Sequence, residues 1–78
     1  DFQGSRGLGD VYKRQPYTEY FEDYQYDEFM YLLEGSVTVE SEHSQETFCK
    51  GDAFLLPKGF KGYWRQEEPV LKYYVLVG

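Results

Sequence analysis

The stretch that decides the fold is Gly51-Asp-Ala-Phe-Leu-Leu-Pro57-Lys-Gly59-Phe-Lys-Gly62-Tyr-Trp64. Glycine and proline interrupt its short apolar runs. Proline restricts φ to a value that suits turns, and glycine permits the positive φ values that tight turns need. The stretch therefore predicts two short strands joined by a turn around Pro57, with another turn at 50–52 before them.

The same pattern extends outward in both directions beyond Pro16. Apolar residues recur with a period of two, which is typical of consecutive strands, and no helix is expected. Tight hairpins are expected at Glu34-Gly35 and at Glu67-Glu68-Pro69. Short strands in such close succession indicate an all-β sandwich or barrel. The predicted strands are 28–33, 36–41, 46–49, 53–56, 62–66 and 71–77.

Length, charge and cysteine content exclude several classes of protein. The chain has 78 residues, enough for one domain, and 14 acidic against 8 basic residues give a net charge of -6. An acidic surface repels a phosphate backbone, so no nucleic-acid partner is expected. No apolar run is long enough to cross a membrane, so no membrane partner is expected either. A single cysteine and the absence of a signal-peptide pattern favour a cytoplasmic location.

The first fifteen residues differ from the rest of the chain. They are rich in glycine and basic residues, and residues 5–15 resemble the translation of a sequencing-library adapter over eleven consecutive positions. Segments of this kind are set aside when a fold is predicted. We therefore expect residues 1–15 to be non-native and adapter-derived, and residues 16–78 to be a partial single domain that lacks whatever preceded Pro16.

The segment 17–28 combines five acidic residues with four tyrosines and contains no basic residue. Such a mixture can line a pocket. The simpler interpretation, which we favour from composition alone, is an edge strand that has a solvated, charged face.

Two motifs now suggest a family. Glu28 is followed by Gly35, and after fifteen intervening residues Gly51 begins a Gly-x5-Pro-x-Gly motif that ends at Gly59. Together these resemble the two cupin motifs, in particular those of the cupin family that includes (S)-ureidoglycine aminohydrolase and the ethanolamine-utilisation cupins. The resemblance implies a small antiparallel jelly-roll (cupin) barrel, here truncated at its N-terminal side. It also implies a ligand or metal site in the open end, and a homodimer when the protein is full length.

The same resemblance raises the question of a metal. Metal-binding cupins place a His-x-His pair shortly before their glutamate and a third histidine after Pro-x-Gly. The corresponding positions here are 22 and 24, or 21 and 23, and then Gly62, and none is a histidine. Only Glu28 remains, and one carboxylate does not hold Mn, Fe or Zn tightly. No metal or other cofactor is therefore expected; the alternative hypothesis is an all-oxygen site for Mg or Ca made of Glu22, Asp23 and Glu28.

The candidate ligand-binding residues follow from strand alternation. Tyr24 and Tyr26 share the parity of Glu28, while Trp64 and Gln66 share that of Gly62, and an aromatic pocket with a few polar groups is typical of small-molecule sites. Met30 would belong to the same pocket or to the core. If Glu28 is desolvated, it is also the candidate general acid or base.

Two further residues with reactive side chains are interpreted as structural. His43 lies in a polar stretch between two strands and is expected in a loop. Cys49 is expected to be a small, buried apolar residue.

Three functions remain open at this point. The first is a domain that binds a small-molecule ligand without the usual histidine ligands. The second is an enzyme of the ureidoglycine aminohydrolase type that acts on a small nitrogenous or carboxylated metabolite. The third is a dimerisation module with a vestigial pocket, in which Tyr73 and Tyr74 face a partner chain.

Overall fold

The structure is a computed structural model, and it describes residues 10–77. All of its regular elements are β-strands, as the period of two predicts. The described residues include no helix that is long and apolar enough to span a membrane. The eight strands are β1 (Asp10–Arg14), β2 (Tyr17–Phe21), β3 (Asp27–Glu34), β4 (Ser36–Glu40), β5 (Gln45–Cys49), β6 (Ala53–Leu56), β7 (Gly62–Gln66) and β8 (Val70–Val77).

The strands form two four-stranded sheets in which every pairing is antiparallel. One sheet has the order β1-β8-β3-β6, and the other has the order β2-β7-β4-β5. This two-sheet, all-β arrangement confirms the predicted fold class. The six predicted strands correspond to β3–β8 with small differences at their ends, and β2 is an edge strand, as one interpretation of segment 17–28 expected.

The two predicted hairpins are wrong. β3 and β4 lie in different sheets and so do β7 and β8, so Gly35 and the segment 67–69 carry the chain from one sheet to the other. Gly35 has a φ of 88°, and a Cβ there would overlap the carbonyl oxygen of Pro69. The same turn residues therefore serve as corners between sheets. Of the connections from β3 onward, only the one from β4 to β5 joins neighbouring strands of one sheet.

The core lies between the sheets and follows the alternation of the strands. In β3 the buried residues are Glu28, Met30 and Leu32, while Phe29 and Tyr31 between them are exposed. Burial of apolar side chains is the main favourable contribution to folding. The buried apolar residues are Met30, Leu32, Val37, Leu56, Trp64 and Val70.

The first strand was not predicted from the sequence. Asp10–Arg14 pairs along β8 in continuous register, from Asp10 opposite Tyr74 to Arg14 opposite Val70. The segment 1–15 was set aside as adapter-derived, and its first nine residues lie outside the described part of the chain. That origin stays a prediction, but residues 10–14 do form an edge strand of the β1-β8-β3-β6 sheet.

Two of the structural interpretations can be checked directly. His43 is exposed in the turn between β4 and β5, as expected. Cys49 is exposed rather than buried, so its prediction was wrong. It ends a strand where the Asp52 carboxylate accepts a hydrogen bond from the Cys49 backbone N–H, which holds the residue at a surface corner.

Candidate functional site

A cavity of about 280 Å³ opens between the two sheets. Inward-facing residues from both sheets and from the segment before β3 line it, and five of them are tyrosines. An aromatic concavity with a few polar groups is the usual composition of a small-molecule site. The lining residues are Tyr12, Arg14, Tyr17, Glu19, Phe21, Tyr24, Tyr26, Glu28, Gln66, Val70, Lys72, Tyr74 and Leu76.

Glu28 lies at the bottom of this cavity, and its side chain is only 6% exposed. One carboxylate oxygen accepts a short hydrogen bond from the Tyr24 hydroxyl. The other oxygen lies 2.9 Å from Nζ of Lys72. Since a buried carboxylate is tolerated only when it is paired and hydrogen-bonded, these two partners account for its presence in the core.

Lys72 is the charged partner of Glu28, and it was not predicted from the sequence. Its side chain is 12% exposed, and its ammonium lies 4.8 Å from the ring centroid of Trp64 and 3.8 Å from the sulfur of Met30. The aromatic ring adds a favourable electrostatic contact with the cation. One signal was present, because Lys72 is the only charged residue in β8 and shares the inward parity of Val70 and Tyr74.

Tyr24 reaches Glu28 from the segment between β2 and β3. Its backbone is held by two hydrogen bonds, from its own N–H to Phe60 and from the N–H of Gly59 to its carbonyl oxygen. Burial raises the pKa of Tyr24 well above its ordinary value, and the hydrogen bond and negative charge of Glu28 raise it further. Tyr24 is therefore a protonated donor at neutral pH.

Tyr17 is the matching phenol on β2. Burial is the largest cause that raises the pKa of this phenol, and the positive charge of Arg14 opposes that effect. The Arg14 guanidinium stacks over the Tyr17 ring at 4.0 Å from its centroid. Tyr17 therefore also presents a protonated hydroxyl.

Gln66 lines the cavity, but other groups already use its amide. Its oxygen accepts a hydrogen bond from Nε1 of Trp64 at 3.0 Å. Its nitrogen donates to the carbonyl oxygens of Arg14 and Gln15, at 2.8 and 3.1 Å. Gln66 thus holds the connection between β1 and β2 in place by two hydrogen bonds.

Of the remaining predicted ligand-binding residues, Tyr26 lines the cavity and Trp64 does not. Tyr26 is 44% exposed at the cavity entrance, with its ring edge-to-face against Tyr24. Trp64 is 3% exposed and belongs to the core cluster, so it supports Gln66 and Lys72 without lining the cavity itself. Met30 is likewise completely buried in the core.

The two ends of the cavity differ in burial and in hydrogen bonding. At one end the side chains are largely buried and held by protein partners, and at the other they are exposed to solvent. The floor consists of Glu28, Gln66 and Lys72. The rim consists of Tyr12, Arg14, Glu19 and Tyr26.

The residues present do not fit a transition metal. Gly62 is buried, but a Cβ there would overlap the carbonyl oxygen of Glu40 and approach the Phe60 ring, so the backbone of β4 closes that position. Both oxygens of Glu28 already accept from Tyr24 and Lys72. Within residues 10–77, no three His, Cys, Asp or Glu side chains come together in a way that could hold a metal ion.

The alternative oxygen site is not assembled either. Glu22 is exposed, with its carboxylate 3.4 Å from Nζ of Lys61, and Asp23 is exposed in the next position. The chain leaves the strand conformation after Phe21, so the alternation that was expected to bring Glu22 beside Glu28 ends before it.

The sequence of the chain matches a family model. Residues 15–74 match the model of the EutQ-like cupin domain. Among curated proteins, none matches the sequence significantly.

The fold is similar to several solved structures. A DUF861-family protein from Thermotoga maritima shares 32% identity with a TM-score of 0.77, over 87% of this chain and 77% of that one. The EutQ protein of Clostridium difficile shares 19% identity with a TM-score of 0.74, over 87% of this chain and 53% of that one. A putative ethanolamine utilization protein Q from Salmonella typhimurium LT2 shares 24% identity with a TM-score of 0.73, over 87% and 55%. The chain therefore spans about half the length of the two EutQ proteins.

Proposed function

Because the chain belongs to the family of EutQ-like cupin domains, we propose that it binds a small organic molecule in the cavity between its sheets, without a transition metal. The observation that carries this proposal is the paired floor of an aromatic cavity, in which Tyr24 and Lys72 both bind Glu28. A cavity of about 280 Å³ is close to the lower end of the range of ligand pockets, which suits a metabolite of few atoms.

The state of Glu28 favours binding over general acid–base catalysis. A general base must reach a substrate proton with a free lone pair in suitable geometry. Here a phenol and an ammonium each bind one of the two carboxylate oxygens. The enzyme hypothesis, with Glu28 as base, therefore requires a substrate proton to reach one of the lone pairs that Tyr24 and Lys72 leave free on these oxygens.

The resemblance to (S)-ureidoglycine aminohydrolase defines the compounds to test first. A suitable panel of small nitrogenous and carboxylated compounds contains N-carbamoylglycine, acetamide, acetate, benzamide and benzoate. We expect at least one of them to raise the melting temperature of the full chain and to bind in calorimetry. Conversion of a bound compound to product would favour the enzyme instead.

Two neighbouring tyrosines on β2 provide a matched test of the location. Tyr17 lines the cavity, whereas Tyr20 points away from it and is 44% exposed. Tyr17→Ala should weaken binding of the responding compound about tenfold, because the aromatic ring that contacts the compound is lost. Tyr20→Ala should leave the Kd of the same compound unchanged. Equal effects of the two substitutions, or no response to any compound of the panel, would contradict the proposal.

We also propose that the domain pairs with a second copy of itself through the outer face of the β1-β8-β3-β6 sheet. Phe29, Tyr31, Leu55 and Tyr73 are 41–55% exposed on this face. Their registers make them neighbours, since Tyr31 lies opposite Tyr73 and Phe29 lies opposite Leu55. Contiguous exposed apolar patches mark interaction surfaces.

The orientation of β8 corrects one part of the dimerisation hypothesis. Tyr73 faces outward and is available to a partner, but Tyr74 lines the cavity and packs against the core. Sedimentation at increasing concentration tests the pairing. We expect a dimer that Leu55→Lys dissociates and that the exposed β5 control Thr47→Lys leaves intact, and a monomer up to about 100 µM would contradict it.

A further inference from the structure

Lys72 has hydrogen-bonding capacity beyond its ion pair. An ammonium carries three N–H donors. Among the residues that the structure describes, Glu28 accepts one of them at 2.9 Å, and the sulfur of Met30, a weak acceptor, lies at 3.8 Å. Lys72 also lines the cavity. The other described contacts of this ammonium are the Trp64 and Tyr74 rings, at 4.8 and 5.8 Å from their centroids, so at least one N–H has no oxygen acceptor and can donate to a ligand.

Each acceptor oxygen of the floor already accepts one hydrogen bond from the protein. Glu28 is bound through both oxygens, and the Gln66 amide is committed to Trp64 and to backbone carbonyls. Burial raises the pKa of Tyr17 against the opposing charge of Arg14, so its hydroxyl stays protonated and adds a second donor. The deep part of the cavity therefore favours a ligand that accepts hydrogen bonds.

The charges inside the cavity cancel. The negative charge of Glu28 faces the positive charge of Lys72 on the floor, and at the rim Arg14 and Glu19 contribute one charge of each sign. A charged group of a ligand that reached the floor would be a third, uncompensated charge in a poorly solvated site, which is costly. The deep part of the cavity therefore suits an uncharged acceptor.

We propose that the ligand of this cavity is a small neutral carbonyl compound, such as an amide, whose carbonyl oxygen accepts a hydrogen bond from Lys72. The inference rests on the function proposed above and names the class of ligand. The apolar walls formed by Phe21, Val70 and Leu76 would cover the rest of the molecule. Lys72 is then the anchoring residue, while Glu28 holds the ammonium in place and offsets its charge.

Three probes of nearly equal shape separate charge from size: benzamide, benzoate and benzylamine, which is cationic at pH 7. We expect the full chain to bind benzamide at least about tenfold more tightly than either charged probe in NMR titrations. Tighter binding of benzoate or benzylamine would overturn this inference and leave the proposed binding function intact. Failure of all three probes and of the wider panel would overturn both.

The anchoring role needs a variant that keeps the floor neutral. Lys72→Met alone leaves a buried carboxylate without its cation, so the measurement uses the double variant Glu28→Gln/Lys72→Met. We expect it to bind benzamide about tenfold more weakly than the unaltered chain, because the charge-assisted hydrogen bond is lost. The control Lys50→Met removes an exposed lysine and should leave binding unchanged. Undiminished binding by the double variant would overturn the assignment of Lys72.

Discussion

The floor and the rim of the cavity are built in different ways. Each polar group of Glu28 and Gln66 on the floor is bound by another group of the protein, and the strands that carry them lie inside their sheets. At the rim, Tyr12 and Arg14 belong to β1 and Glu19 to β2, which are edge strands, and all three are exposed.

Folding therefore determines the floor residues, whereas the rim residues can change without loss of the fold. The floor is fixed by core packing, so its charge and its donors are present before any ligand arrives. β1 is held on β8 by main-chain pairing and on Gln66 through backbone carbonyl oxygens, contacts that do not depend on side-chain identity. A different strand sequence at this position could therefore change the rim while the floor stayed the same.

The largest expected effect is at the floor. Lys72→Met should lower the free energy of unfolding by about 3–5 kcal/mol, because it leaves Glu28 buried without its cation. Denaturant unfolding measures this change, and the exposed control Lys50→Met should alter stability by less than about 0.5 kcal/mol. Similar values for the two variants would remove the distinction between floor and surface.

Gln66→Ala should have the next largest effect, about 2 kcal/mol. It removes the acceptor of the buried Trp64 N–H and both donors that fasten the crossing from β1 to β2. Thermal unfolding measures the loss, and hydrogen exchange should show weaker protection of β1. Gln45→Ala, at an exposed position of β5, serves as the control. A Gln66→Ala variant as stable as that control would show that the hydrogen bonds of the Gln66 amide do not contribute to stability.

High pH should weaken the contact between Tyr24 and Glu28. The pKa of Tyr24 is raised in the folded state, so the folded protein keeps a proton that the unfolded chain releases above about pH 10. The contribution of Tyr24 is therefore complete below that pH and is lost as the pH rises further. The melting temperature should fall above pH 10, and it should fall less steeply in Tyr24→Phe than in the exposed control Tyr20→Phe. Parallel curves for these two variants would contradict the assignment.

The smallest effect is expected at the rim. Arg14→Ala removes a stacking contact with Tyr17 and a long hydrogen bond to Tyr12, both near the surface. Such contacts contribute at most about 1 kcal/mol. Calorimetric unfolding should place this variant close to the unaltered chain, and a loss as large as that of Lys72→Met would mean that the rim is not adjustable.

Prediction from the sequence succeeded where periodicity carries the information. The alternation of apolar residues gave strands β3 to β8, and the spacing from Glu28 to Gly59 pointed to the family. The sequence could not distinguish a hairpin from a corner at Gly35, because a glycine with positive φ serves both. It also gave no strand at 10–14, since that strand is held by main-chain pairing with β8 instead of by an apolar pattern of its own.

The candidate site was predicted in part. Glu28, Tyr24, Tyr26 and Gln66 do line one cavity, but Tyr24 and Tyr26 lie between β2 and β3, so strand alternation does not explain their positions. Lys72 was missed because its partner Glu28 is 44 positions away in the sequence, and only the pairing of β3 with β8 brings the two together. Long-range pairing of this kind cannot be inferred from local pattern.

The central claim is that Glu28 and Lys72 neutralise each other on the floor of the cavity. The most direct test compares the unfolding free energy of Lys72→Met with that of Glu28→Gln/Lys72→Met. If Glu28 and Lys72 neutralise each other, removing the carboxylate charge as well should restore at least about 2 kcal/mol of the stability that Lys72→Met loses. A double variant that is no more stable than Lys72→Met would contradict the claim.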